Sequence, residues 1–95
     1  MSDPTILVLS SLAGGDKHGY GIMLDVEVFA GIKLGPGTLY GAITRLEERG
    51  WIAPTGPRDR RQLYTITPEG KAHLQTQLAG MKNVVNIGEA RLEQA

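Results

Sequence analysis

No cysteine occurs among the 95 residues. Disulfides, thiolate zinc sites and cysteine nucleophiles are therefore excluded together, and a reducing, cytoplasmic setting is the expectation. Histidine is nearly as scarce, with only His18 and His73. No nucleophile, base and orienting group can be assembled around either, so the sequence predicts neither an enzyme nor a metal or cofactor site. Long apolar runs are also missing. The longest, Ile6 to Leu9, is far too short to cross a bilayer, and the N-terminus lacks the basic-then-apolar pattern of a signal peptide. Finally there is no net charge, since ten basic residues balance ten acidic ones.

Zero net charge weighs against a nucleic-acid partner until its distribution is considered. Residues 1–32 carry Asp3, Asp16, Asp25 and Glu27 against Lys17 alone, a net of three negative charges. Residues 33–71 carry Lys33, Arg45, Arg49, Arg58, Arg60, Arg61 and Lys71 against Glu47, Glu48, Asp59 and Glu69, a net of three positive charges. The remainder is balanced. The positive excess is thus confined to one segment, and that segment has the strongest structural punctuation.

The length allows one domain with one core. Asp3-Pro4 marks a helix start, with an acidic N-cap and proline at the first position. Ile6, Leu7, Val8, Leu9 and Leu12 then cover most of the circumference, which calls for cover from the core and from a partner chain. Gly14-Gly15-Asp16 ends that helix. A second helix is predicted from about Gly19 to Ala30, its inner face formed by Ile22, Met23, Val26 and Phe29. A third runs from Pro36 to Arg49 on an inner face of Leu39, Ala42, Ile43 and Leu46, and Gly50 closes it.

Two short strands, Trp51 to Thr55 and Gln62 to Thr67, are predicted around a Gly56-Pro57 turn, with Arg58, Asp59, Arg60 and Arg61 at the tip. Thr67-Pro68-Glu69 starts a last helix. Along it Leu74, Leu78, Met81, Val85, Gly88 and Leu92 alternate spacings of four and three, the seam of a two-helix coil. Gly80 and Gly88 each cost that helix roughly 1 kcal/mol, so the pattern leaves open whether its last ten residues are ordered.

A helix followed by an arginine-tipped hairpin gives a fold class of mainly α with a small β-hairpin: a winged helix-turn-helix over residues 1–67 and one dimerisation helix over 68–95. Double-stranded DNA and a second copy of the chain are the partners this arrangement suits. The start of the third helix has no acidic side chain, leaving the N–H groups of Gly37 and Thr38 open to a phosphate. Tyr40, Gly41, Thr44 and Arg45 lie wholly or partly outward behind them, within reach of base edges or backbone. Arg58, Arg60 and Arg61 suit a phosphate track or a minor groove. Tyr20 is expected to be partly buried or to touch phosphate, beside a His18 that helps start the second helix. For the seam between copies the candidates are Ile6, Leu9, Leu74, Leu78, Met81, Val85 and Leu92. The competing reading of the same pattern is a solvated wing on a module that binds protein, favoured by zero net charge and the Glu47-Glu48 pair.

His18-Gly19-Tyr20-Gly21-Ile22, Leu34-Gly35-Pro36-Gly37-Thr38-Leu39-Tyr40, Leu46-Glu47-Glu48-Arg49-Gly50-Trp51-Ile52, Arg60-Arg61 with Tyr64, and Thr67-Pro68-Glu69-Gly70 occur in order over about residues 5 to 75. In this the chain resembles the PadR family of transcriptional regulators. The resemblance implies a homodimeric winged-helix repressor, with the Pro36–Arg49 helix in the major groove and the Arg58–Arg61 wing alongside. It also implies the short type, with a single C-terminal helix for dimerisation. Such proteins often repress genes of detoxification, efflux or phenolic-acid metabolism, and some release DNA on binding a small molecule. Short members that bind flat aromatic drugs use aromatic side chains near the dimer seam; here no aromatic lies beyond Tyr64.

Overall fold

The computed structural model describes residues 3–95. Four helices, α1 (Pro4–Ala13), α2 (Gly19–Ala30), α3 (Pro36–Glu48) and α4 (Pro68–Gln94), surround a three-stranded antiparallel sheet of β1 (Lys17–His18), β2 (Ile52–Arg58) and β3 (Arg61–Ile66) in the order β1-β3-β2. None of these helices is long and apolar enough to cross a membrane.

Local chemistry sets the boundaries. The Asp3 carboxylate accepts from the Thr5 N–H at 2.9 Å and caps α1. Thr67 caps α4 by accepting from the Gly70 N–H at 3.0 Å, while its hydroxyl donates to the Gly50 carbonyl at 2.7 Å. At the end of α3, Gly50 takes a left-handed φ of 76° that a side chain would strain. This lets the Trp51 N–H turn back to the Leu46 carbonyl at 3.0 Å, leading the chain into β2.

The core lies where α1, α2, α3 and the sheet meet. Val8, Leu9, Leu12, Ile22, Val26, Leu39, Ala42, Ile43, Leu46 and Ile52 are all at least 98% buried, with Leu74 closing the side toward α4. Its buried polar group, Ser11, is satisfied: the hydroxyl donates to Asp25 at 2.7 Å. Lys17 joins the same network through the Ser11 carbonyl and an ion pair with Asp25 at 3.8 Å. The end of α1, β1 and α2 are thereby held to one another.

Four expectations need correction. Lys17 and His18 form a third strand, pairing with Tyr64 and Leu63; two residues are too few to leave a periodicity in sequence. The hairpin turns at Asp59-Arg60, not at Gly56-Pro57, and Pro57 lies within β2 opposite Gln62. Gly56 instead follows a register shift, at φ 103°. Phe29 is half-exposed, not core. Trp51 precedes β2 and stacks on His73, with ring centroids 3.6 Å apart and planes 11° apart.

Gln77 and Met81 of α4 still line cavities with residues of α1, and the helix then runs on past the head, in a molecule whose long axis is 54 Å. α4 is helical through Gly80 and Gly88 to Gln94. Leu78, Met81, Val84, Val85, Ile87 and Leu92 along it are between 44% and 77% exposed.

Candidate nucleic-acid interface

At the start of α3 the N-cap is Gly35, which offers no side-chain acceptor, and the first turn holds no acid. Gly37 and Thr38 are exposed, so their N–H groups face outward with the positive end of the helix dipole behind them. Tyr40 leans from this turn onto α2: its ring lies so close to Gly19 that a Cβ there would meet Cζ at 2.8 Å. Thr44 is exposed and its hydroxyl donates to the Tyr40 carbonyl at 2.9 Å, leaving oxygen lone pairs as its outward function.

The N-terminus of α2 brings in a residue that sequence reading assigned only to helix initiation. His18 Nδ1 accepts from the Gly21 N–H at 3.1 Å, which makes it the N-cap, as expected. A neutral imidazole has one acceptor nitrogen, so Nε2 must carry the proton. Yet Nε2 lies 3.3 Å from a guanidinium nitrogen of Arg61, itself always a donor. The two donors cannot satisfy each other. They can converge on one anionic oxygen.

Around that pair, His18, Gly19, Tyr20, Tyr40, Arg61, Gln62 and Tyr64 line a cavity of about 320 Å³, from β1, α2, α3 and β3 together. Tyr20 is 56% exposed. Burial, with Glu47 and Tyr40 nearby, raises the Tyr64 phenol above its ordinary 10.0, so it remains a protonated donor at neutral pH.

The wing itself is built at a cost to stability. Arg58 and Arg61 stand directly opposite one another across the hairpin, a like-charge pair that disfavours the ladder. Asp59 and Arg60 form the turn with φ of 51° and 66°, the paired positive values of a tight two-residue hairpin. Aspartate tolerates that geometry; arginine does not favour it. Among the described residues the only ion pair is Lys17–Asp25, so the wing arginines are not neutralised.

Of the candidates, Tyr20 of α2, Tyr40 of α3 and Arg61 of β3 line one cavity, Arg58 and Arg61 line another, Gly37, Thr38, Thr44 and Arg60 are exposed, and Gly41 is half-buried. Arg45 borders two surfaces: its guanidinium lies 3.6 Å from the position that a Cβ on Gly41 would take, and it also lines a cavity with Asp3, Arg49, Trp51 and His73, on the flank of α3 toward α1 and α4.

The apolar candidates divide in the same way. Leu9 is fully buried and Leu74 is 6% exposed, so both are enclosed by the chain's own core and offer no surface to a second copy. Ile6 is half-buried at the surface, and Leu78, Met81, Val85 and Leu92 are exposed. Val84 and Ile87, outside the four-three spacing, widen the stripe beyond a two-helix seam. Among the described residues no group of histidine and acidic side chains could hold a metal ion.

Comparison with known proteins agrees with this architecture. A relative 39% identical over 80 residues is an uncharacterised 37.1 kDa protein in transposon Tn4556 of Streptomyces fradiae. The match takes in 84% of this chain but spans only 23% of that protein's length. A PadR family transcription regulator from hypervirulent Clostridium difficile superposes with a TM-score of 0.84 at 26% identity, over 94% of this chain and 97% of that one. A transcriptional regulator from Clostridium thermocellum gives 0.80 at 28% identity, over 88% and 84%. Residues 8–76, which include α2, α3 and the whole wing, match the transcriptional regulator PadR-like family, and the chain belongs to that family.

Proposed function

We propose that the protein is a sequence-specific DNA-binding repressor that acts as a homodimer on an inverted-repeat operator. The observation that carries this reading is the pair of donors, His18 at the start of α2 and Arg61 of the wing, in a cavity that Tyr40 of α3 also lines, the first turn of that helix having neither an acid nor a side-chain cap. The opposed pair Arg58 and Arg61 lowers the stability of an isolated domain, and a polyanion offsets that repulsion. In this reading the first half of α3 enters the major groove, with Thr38, Tyr40, Gly41 and Thr44 toward base edges and backbone. Tyr20 and His18 meet a phosphate, and Arg58, Arg60 and Arg61 follow the neighbouring backbone or minor groove.

The exposed stripe of α4 supports the dimer. Leu78, Met81, Val84, Val85, Ile87 and Leu92 would leave a large apolar surface in water if the protein acted as a single copy. The winged head thus reads and α4 pairs, placing two heads on half-sites about one helical turn apart. Release by a small molecule completes the regulatory reading.

The test is the double variant Arg60→Ala, Arg61→Ala, assayed against an operator duplex and an unrelated duplex across a salt series. Loss of two phosphate contacts should weaken both complexes and make the log–log salt slope shallower by about 2. An unchanged slope would remove the wing from the interface.

A further inference from the structure

We infer that Thr44 is a specificity-determining residue that reads an exocyclic amino group in the major groove, N6 of adenine or N4 of cytosine; the inference rests on the operator reading above. Its place on α3 is the first argument. At about 100° per residue, Gly37, Gly41, Thr44 and Glu48 fall in one stripe, opposite the buried Leu39, Ala42, Ile43 and Leu46. Gly37 and Gly41 carry no side chain, and nothing lies within 4 Å of a Cβ position at Gly37. The stripe is therefore low where it precedes Thr44, so the helix backbone can approach a groove floor closely. Thr44 is the short hydrogen-bonding side chain left at its centre.

The second argument is the state of its hydroxyl. A threonine hydroxyl donates one bond, and here that bond goes to the Tyr40 carbonyl at 2.9 Å. The side chain is exposed, and what its oxygen still offers is lone pairs, so toward a ligand it only accepts. In the major groove guanine presents N7 and O6 and thymine presents O4, all of them acceptors. Donors come only from adenine N6 and cytosine N4. A keto base set against Thr44 would place acceptor against acceptor, so rejection of guanine and thymine accompanies the preference.

The inference also gives Glu48 a place. It stands one turn beyond Thr44 on the same stripe and, among the described residues, takes part in no ion pair. A carboxylate is a poor neighbour for phosphate, but as an acceptor it agrees in sense with Thr44 when the partner is a base amino group. The donors of Arg45 lie to one side, beside Gly41.

The test couples the protein's oxygen to the base's amino group. Sequences are selected from a random duplex library with the parent and with Thr44→Val, which keeps the shape and removes the oxygen; circular dichroism checks that the variant is folded. Valine should change the preference at one position in each half-site and leave the rest of the operator as it was. At that position the amino group is then deleted from the duplex, purine replacing adenine or pyrimidin-2-one replacing cytosine. The parent should lose about fivefold more affinity than the valine variant, since the weakened base pair costs both proteins alike. Thr44→Ser, which retains the oxygen, should keep the parent's loss. Three results would overturn the inference while leaving the operator reading in place: a parent operator in which valine changes no position, equal losses by parent and valine variant, or a loss that follows the thymine methyl or a base acceptor instead. Enrichment of no sequence by the parent would remove the operator reading and this inference with it.

Discussion

Replacing Gly70 with alanine should be among the most damaging single-methyl changes available to this chain. A Cβ at Gly70 would collide with the Trp51 carbonyl oxygen and lie 2.9 Å from both the Trp51 carbonyl carbon and Ile66 Cγ1. The obstruction is mainly backbone, and that backbone is pinned: the Trp51 carbonyl accepts from the Thr67 N–H at 3.0 Å, and Thr67 also bonds Gly50 at 2.7 Å. Relief requires the start of α4 to move away from the head. Overpacking of this kind costs about 1–3 kcal/mol, and the two strained hydrogen bonds add about 1 kcal/mol each. Alanine recovers at most about 1 kcal/mol of helix propensity. The net loss is about 2–4 kcal/mol, out of about 5–15 kcal/mol for a typical domain, and corresponds to a Tm lower by about 10–20 °C. Urea denaturation followed by Trp51 fluorescence, at one fixed protein concentration to hold any association constant, measures it. Gly80→Ala is the control, since nothing lies within 4 Å of its Cβ position and the same methyl should stabilise by about 1 kcal/mol. A Gly70→Ala protein within about 0.5 kcal/mol of the parent would refute the reasoning.

Gly19→Ala should behave differently, because its added methyl meets the tip of Tyr40, which can swing: folding stability should stay within about 1 kcal/mol while operator affinity falls about tenfold. Equal losses in both assays would contradict it. Arg60→Gly relieves the positive φ of 66° and creates an Asp-Gly turn, so it should stabilise the fold by about 1 kcal/mol yet weaken DNA binding; a destabilised variant would contradict the turn assignment. Asp3→Ala should cost about 1 kcal/mol at neutral pH through loss of the α1 cap. Because the Asp3 pKa is lower folded than unfolded, its contribution is present above the ordinary 3.8 and disappears as pH falls through the lower folded value, so parent and variant should converge in acid. A difference unchanged by acid would show that the carboxylate is not the cap.

The helices were legible because their signals are local. Asp3-Pro4, Gly35-Pro36 and Thr67-Pro68 each announce a start, and buried positions such as Ile22, Val26, Leu39 and Leu46 recur at helical spacing. What sequence reading missed depended on partners distant in the chain. The strand at Lys17-His18 exists only through Tyr64 and Leu63, and the turn moved to Asp59-Arg60 because pairing continued past Gly56. Arg45 was legible as outward, but not as belonging to the flank with Asp3 and His73. His18 was legible as a cap, whereas its second nitrogen acquires meaning only when the hairpin brings Arg61 alongside. Leu9 and Leu74 share the periodicity of the exposed stripe, and spacing alone cannot separate a core position from a seam position.

The central claim is tested most directly by selecting bound sequences from a random duplex library with the purified protein at near-physiological salt. The account predicts enrichment of one inverted repeat whose half-sites are centred about one helical turn apart. A folded protein that enriches no sequence would contradict it.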